Sequence, residues 1–167
     1  MSLSMYQASV PVFSHMLGVL SKILDKGAAY AEAREIEPSV LINDRLAPDM
    51  LPLSRQVQIA GDMAMRGAAR LAGQEFPNNP DTETTFPELQ QRIAKTVQFL
   101  DGFTAAQIDG SEEKSITVKF GDHGLTFTGQ DYLLNFVLPN LYFHVTAAYL
   151  ILRHNGVDVG KRDFLGM

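Results

Sequence analysis

The stretch YLLNFVLPNLYFHVTAAYLILRH, residues 132–154, decides the fold. Its most apolar part, residues 132–152, approaches the roughly 20 residues that span a bilayer as a helix. It also holds Asn135, Pro139, Asn140 and His144, and no second stretch of its kind occurs in the chain. The pattern therefore predicts the buried central helix of a soluble helical protein rather than a membrane span. At about 100° per residue, Leu133, Val137, Asn140, His144, Ala148 and Ile151 fall within one narrow arc, the inward stripe of that helix. The helix is expected to start near Gly129 or Gln130 and to end before Gly156, where Arg153 and His154 suit the negative end of the helix dipole.

Upstream of this helix the apolar period drops to two. Ser115-Ile116-Thr117-Val118-Lys119-Phe120 alternates polar and apolar, as does Leu125-Thr126-Phe127-Thr128, with the turn residues Gly121-Asp122-His123-Gly124 between them. That is the signature of a β-hairpin. Its apolar set, Ile116, Val118, Phe120, Leu125 and Phe127, needs one surface to lie on, and the end of the bundle is the expected one.

Three further helices precede the hairpin. Thr85-Phe86-Pro87-Glu88 forms a capping box with proline in the first turn, and Leu89, Ile93, Thr96, Leu100 and Phe103 mark the inward face that follows. Thr104 to Gln107 repeats the cap and predicts a short extra turn ended by Asp109-Gly110. Residues 74–84, with Pro77 and Pro80, read as a loop. Before it a helix over residues 52–72 stops at Gly73, a left-handed cap. Leu53, Val57, Ala60, Ala64, Gly67 and Leu71 form its stripe, with Arg55, Gln58, Asp62 and Arg66 on the other face. The first helix starts from the Ser4–Gln7 capping pattern and buries Tyr6, Val10, Phe13, Leu17, Leu20 and Leu24, with His15 opposite. Pro11 either kinks it early or delays its start by a turn. Residues 28–36 continue it after Gly27, Pro38 starts a short turn of helix, and the tail packs back through Phe164 and Leu165. The expected fold is mainly α: a four-helix bundle with a small β-hairpin before the last helix, in one domain over residues 1–167.

Composition narrows the functional classes. The chain has no cysteine, which excludes disulfides, thiolate nucleophiles and cysteine-ligated metals and suits a reducing compartment. Fourteen Lys and Arg stand against 19 Asp and Glu, a net charge of −5, and the basic residues do not gather into a face that could track phosphates. No nucleic-acid partner is expected. The opening MSLSMYQASVPVF lacks the basic region and apolar core of a signal peptide. The expectation is a cytoplasmic protein with no membrane partner.

Chemistry is sparse. There is no glycine-rich phosphate loop, no GxSxG and no HExxH. Asn140 and His144, one turn apart on the inward stripe, are the exception. A buried amide or imidazole must find partners or cost about 1–3 kcal/mol. Either the two bond each other and buried groups on neighbouring helices, or they line a ligand pocket or metal site inside the bundle. Gln56, at the edge of the second helix's stripe, and Tyr6, inward on the first, complete the candidate pocket. A catalytic zinc-type site needs about three strong ligands. Here one histidine faces inward beside neutral amides, while His15, His123 and His154 read as solvated. Arg45 and Asp49 either line a pocket mouth or form a loop salt bridge.

With these residues in hand, the sequence resembles an uncharacterised bacterial DUF family of the DinB/YfiT-like superfamily, named for metal-dependent enzymes. The resemblance is carried by residues 5–13, RLAPDMLPLSRQVQIAGD at 45–62, DTETTFPELQQRIAKT at 81–96, and residues 127–166. It implies a four-helix bundle whose helices are not joined in simple up-down order. It also implies a divalent metal held by a histidine on the second helix and an HxxxH pair on the last. In this chain His144 matches the second histidine of that pair, Asn140 replaces the first, and Gln56 stands at the position on the second helix. The expected function is small-molecule binding at a degenerate metal site. The alternatives are a metal-dependent enzyme of the thiol transferase or isomerase class, and a structural or interaction protein acting as a homodimer.

Overall fold

The fold is described from a computed structural model over residues 2–167, with the Phe120 side chain outside the described part. Residues 5–8 make one turn closed by reciprocal bonds between Ser4 and Gln7. The first helix, α1 (Val10–Ala33), begins only after it, with Pro11 in its first turn where no N–H is needed. Pro11 therefore delays the helix. The chain continues through α2 (Pro38–Ile42), α3 (Leu53–Ala72), α4 (Phe86–Leu100), α5 (Ala105–Ile108), β1 (Ile116–Phe120) and β2 (His123–Phe127). It ends with α6 (Gly129–Asp131), a wide π-helical stretch over Tyr132–Val137, α7 (Leu138–His154) and α8 (Lys161–Leu165). The wide turns precede Pro139, whose ring would clash with the Asn135 carbonyl in a regular helix.

Long helices α1, α3, α4 and α7 form the bundle, and side-chain contacts give their directions. Gln56, Gly67 and Arg70 meet His144, Val137 and Tyr132 in turn, so α3 and α7 are antiparallel. Phe13 and Val137 both flank Gly67, while Gly27 meets Leu152, so α1 and α7 run parallel. Ser21 bonds Gln90 and Gly27 meets Phe86, so α4 opposes α1. Helices α3 and α4 thus run in the same direction, and the connection between them must travel back along the bundle. Twenty residues of α3 rise about 30 Å. Residues 74–85 form no helix, and at up to roughly 3.3 Å per residue a chain of that length can cover the distance.

The stripes read from sequence form the core. Phe13, Leu17, Leu20, Leu53, Val57, Leu89, Val137 and Ile151 are each fully or almost fully buried, and each contributes about 1.5–3 kcal/mol of burial. Gly67 lets α7 approach closely, since a Cβ there would sit 2.7 Å from Val137 Cγ1. Gly73 takes the left-handed cap with φ 71°. The Thr85–Glu88 capping box is formed on both sides.

The hairpin pairs Ile116 with Phe127 and Val118 with Leu125 around a two-residue turn, Gly121-Asp122. Positive φ at Gly121 alone of the two is the pattern of a type II′ turn. His123 is accordingly the first residue of β2 and not part of the turn. Of the expected apolar set, Ile116 and Val118 are buried and Phe127 is half-buried, while Phe120 lies outside the described side chains. Leu125 is 54% exposed although its partner Val118, at the same level of the hairpin, is 6% exposed, so β1 packs on the bundle and β2 is the outer strand. In the tail, Phe164 packs edge-on against Tyr149, but Leu165 points to solvent.

The last helix is central on one side only. Leu141, Val145, Ala148 and Leu152 face the core, and Asn140 and His144 sit at the edge of that stripe, half-buried. Gly129–His154 is long and apolar enough to cross a membrane by length and composition, yet only 33% of its most apolar window is buried.

Candidate functional site

Helix α3 presents Gln56 to α7 next to fully buried Leu53, Val57 and Ala60, and Gln56 itself is 1% exposed. Its Nε2 donates to the Leu51 carbonyl at 2.9 Å. A carbonyl can only accept, so this bond fixes the amide, with Oε1 turned toward His144 Nδ1 at 2.7 Å. Oε1 can only accept as well, so His144 carries its proton on Nδ1. The imidazole is thereby held in one tautomer with the Nε2 lone pair free. Burial pushes the His144 pKa below its ordinary 6.5, favouring that neutral form. The sign for stability follows. The unfolded chain takes up the proton more readily than the folded one, so stability is complete above about pH 6.5 and falls as pH drops from there toward the folded value. Urea midpoints measured at pH 7 and pH 5 should fall more steeply in the wild type than in His144→Gln.

Asn140 does not join this relay. Its Nδ2 turns back along its own helix and donates to the Phe136 carbonyl at 2.6 Å. Tyr6 stands apart altogether. Its backbone N–H bonds Asp109, and it precedes the start of α1, whereas His144 lies level with the middle of that helix. The separation is roughly 20 Å along the bundle axis at 1.5 Å per residue. Of the four candidate pocket residues the fold therefore couples Gln56 and His144, leaves Asn140 one turn away, and removes Tyr6. Arg45 donates to the Met50 carbonyl and makes no pair with Asp49.

Beside His144, Phe143 packs edge-on against the imidazole with ring centroids 5.2 Å apart. Phe143 also lines a cleft of about 290 Å³ with Leu46, Met50, Pro139, Tyr142, Thr146 and Leu150. The cleft follows the strip of α7 adjacent to the Asn140–His144 strip, and its floor is apolar.

A metal does not fit this arrangement. Among the described residues no three His, Cys, Asp or Glu side chains gather where they could hold an ion. The polar neighbours of His144 are amides, which bind transition metals poorly. Gln56 uses both ends of its amide in hydrogen bonds, and Asn140 donates to a backbone carbonyl.

A second polar assembly lies on the opposite side of α3. Arg92 of α4 is buried, and its guanidinium meets Asp62 at 2.8 Å, Asp81 and Glu83 at 3.1 Å, and the Pro80 carbonyl at 3.2 Å. Burial works against its charge, but the bonds to Glu83 and Asp62 outweigh it and raise the pKa. Gln58 donates to Glu83, Arg55 pairs with Asp81, and Arg66 pairs with Asp62 at 2.8 Å. Gln58 and Asp62, expected on a solvated face, are buried because the crossover loop lies over them. Arg92 was legible in principle, since it falls between Leu89, Ile93 and Thr96 on the inward stripe and follows the acidic pair Asp81 and Glu83.

These features match known proteins. A family model described as a domain of unknown function, DUF1993, matches residues 5–165, and the chain belongs to that family. The crystal structure of a DinB family member protein from Shewanella denitrificans is similar at 46% sequence identity, covering 97% of this chain and 92% of that one, with a TM-score of 0.89. The protein is therefore a DinB-like helical bundle of the DUF1993 family. A search of curated proteins finds no match.

Proposed function

We propose that the protein binds a small organic molecule at the edge of α7, beside His144, in a degenerate metal site that works without a metal. The observation that carries this reading is the Leu51–Gln56–His144 relay, which holds a neutral imidazole with one lone pair uncommitted. Such a group accepts a hydrogen bond, and the neighbouring cleft offers Pro139, Tyr142 and Phe143 as an apolar wall. The ligand class that suits both is an apolar body bearing one O–H or N–H donor. Phenol and toluene are a matched pair of probes. The backbone amide resonances of Tyr142 and Phe143, which line the cleft, should shift saturably with phenol and less with toluene, and the difference should vanish in His144→Phe. No saturable shift with either probe, or an unchanged preference in His144→Phe, would defeat the reading.

A homodimer is the second reading, and the outer face of α7 favours it. Leu46, Tyr142, Phe143 and Leu150 are 37–57% exposed, and Thr146 and Leu150 continue the strip onto Tyr149 and Phe164. A contiguous apolar strip of this kind, with Lys161 as the one charged residue lining its far end, marks an interaction surface. Sedimentation equilibrium should give twice the 18.4 kDa chain mass for the wild type and a folded monomer for Phe143→Asp with Leu150→Glu. A wild-type monomer at about 100 µM would rule out all but a weak association.

A further inference from the structure

A roomy cleft lies away from His144, between the end of α1, helix α2 and the start of α4. Its volume is about 810 Å³, inside the range of about 300–1,000 Å³ typical of small-molecule sites. Ala28, Ala31, Ile36, Ile42, Phe86 and Pro87 make an apolar floor and walls. Glu32, Glu35 and Glu37 stand on its edge, all exposed, and no basic side chain lines it. None of the three carboxylates has a hydrogen bond or ion pair among the described residues. Arg34, the cation nearest to them in sequence, stacks over the Tyr30 ring at 5.5 Å.

The same cleft is closed to anions. The start of α4 borders it, and a helix start would ordinarily attract negative charge. Here the Thr84 and Thr85 N–H groups already donate to the Glu88 carboxylate, at 2.8 and 3.0 Å. The hollow therefore combines apolar walls, a negative rim without counter-charge, and a helix end already neutralised by its own glutamate.

We propose that this cleft binds a small organic cation, a primary amine or ammonium carried on an apolar body. The body fills the hollow between Ala31, Ile42 and Phe86, and the ammonium stays at the rim among Glu32, Glu35 and Glu37. Complementary charge then selects the cation over neutral and anionic molecules of the same shape. This site shares no residue with the His144 region and stands or falls separately from it.

The experiment titrates the ¹⁵N-labelled full chain with n-hexylammonium, 1-hexanol and hexanoate at fixed ionic strength. Hexylammonium should shift the amides of Ala31, Ile36, Ile42 and Phe86 saturably, binding at least ~5-fold more tightly than hexanol, with hexanoate weakest. The combined variant Glu32→Gln, Glu35→Gln, Glu37→Gln changes only exposed side chains. It should bring the amine down to the level of the alcohol and leave hexanol binding unchanged. The proposal is overturned if amine and alcohol bind alike, if the amine preference survives the triple variant, or if no saturable shift appears by about 20 mM. Saturation by a lysine-rich peptide but not by hexylammonium would also overturn it, and would assign the cleft to a protein partner.

Discussion

Replacing Arg92 by methionine is expected to cost about 3–5 kcal/mol of folding stability, the usual consequence of removing one partner from a buried ion pair. The Arg92 side chain is 3% exposed, while Asp62 and Glu83 are 12% and 15% exposed, so the carboxylates left behind could not recover full hydration. The loss would be a large share of the roughly 5–15 kcal/mol that holds a domain folded. It would also act on topology. Arg92 ties α4 to α3 through Asp62 and to the crossover loop through Pro80, Asp81 and Glu83. The loop is what allows α3 and α4 to run parallel. Urea denaturation followed by circular dichroism reads the stability, and proteolysis within residues 74–84 reads the release of the loop. Arg92→Lys should recover only part of the loss, because a single ammonium cannot reproduce the planar fork that reaches all four acceptors. A midpoint shift below about 1 kcal/mol for Arg92→Met would show that the clamp is incidental.

Gly129→Ala is expected to be the other severe change, at about 3 kcal/mol or more. A Cβ on Gly129 would land on the carbonyl oxygen of Ser111 and lie 2.9 Å from its carbon. Both obstacles are backbone, so no rotamer can relieve them. The two segments are tied by the Gln130 N–H donating to the Glu112 carbonyl at 2.9 Å, and the Thr128 hydroxyl, capping the Asp131 N–H, fixes the first turn of the helix that Gly129 opens. The methyl group must therefore push apart the point where the hairpin hands over to the last helix. Far-UV circular dichroism and a thermal melt test this directly. A variant as stable as wild type would mean that the 111–129 junction yields readily. Gly18→Ala is the control, since a Cβ there meets nothing within 4 Å and should gain a little from helix propensity.

Much of the fold was visible in the residues because its signals are local. The Thr85–Glu88 box and the Gly73 cap depend on neighbours within a few positions and form as their chemistry requires, and a turn forms within Gly121 to Gly124, the stretch that reads as one, though it closes on Gly121-Asp122 alone. The candidate site was half visible for the same reason. Helical periodicity brought His144 and Asn140 to the inner side of one helix, but it said nothing of what Asn140 would bond. The amide chose its own Phe136 carbonyl, an intrahelical partner one turn away in a helix distorted ahead of Pro139. Tyr6 shows the converse failure. It has the right face for a core position, yet the parallel run of α1 and α7 leaves it at another level of the bundle.

What the sequence determined by itself was the four long helices, the short turns between them and the hairpin in order, with most of their caps and apolar stripes, since these follow from periods of 3.6 and 2 and from turn chemistry. The π-helical turns over Tyr132–Val137 and the helical tail α8 did not show in it. Only the tertiary structure decided which polar groups would be covered. Asp62 and Gln58 are buried because a loop distant in sequence crosses them and brings Glu83, and α4 brings Arg92. Gln56 is buried because α7 lies over it, and the Leu51 carbonyl then turns its amide so that His144 keeps one tautomer. Burial and protonation are properties of the assembled surroundings, and no window along the chain contains them.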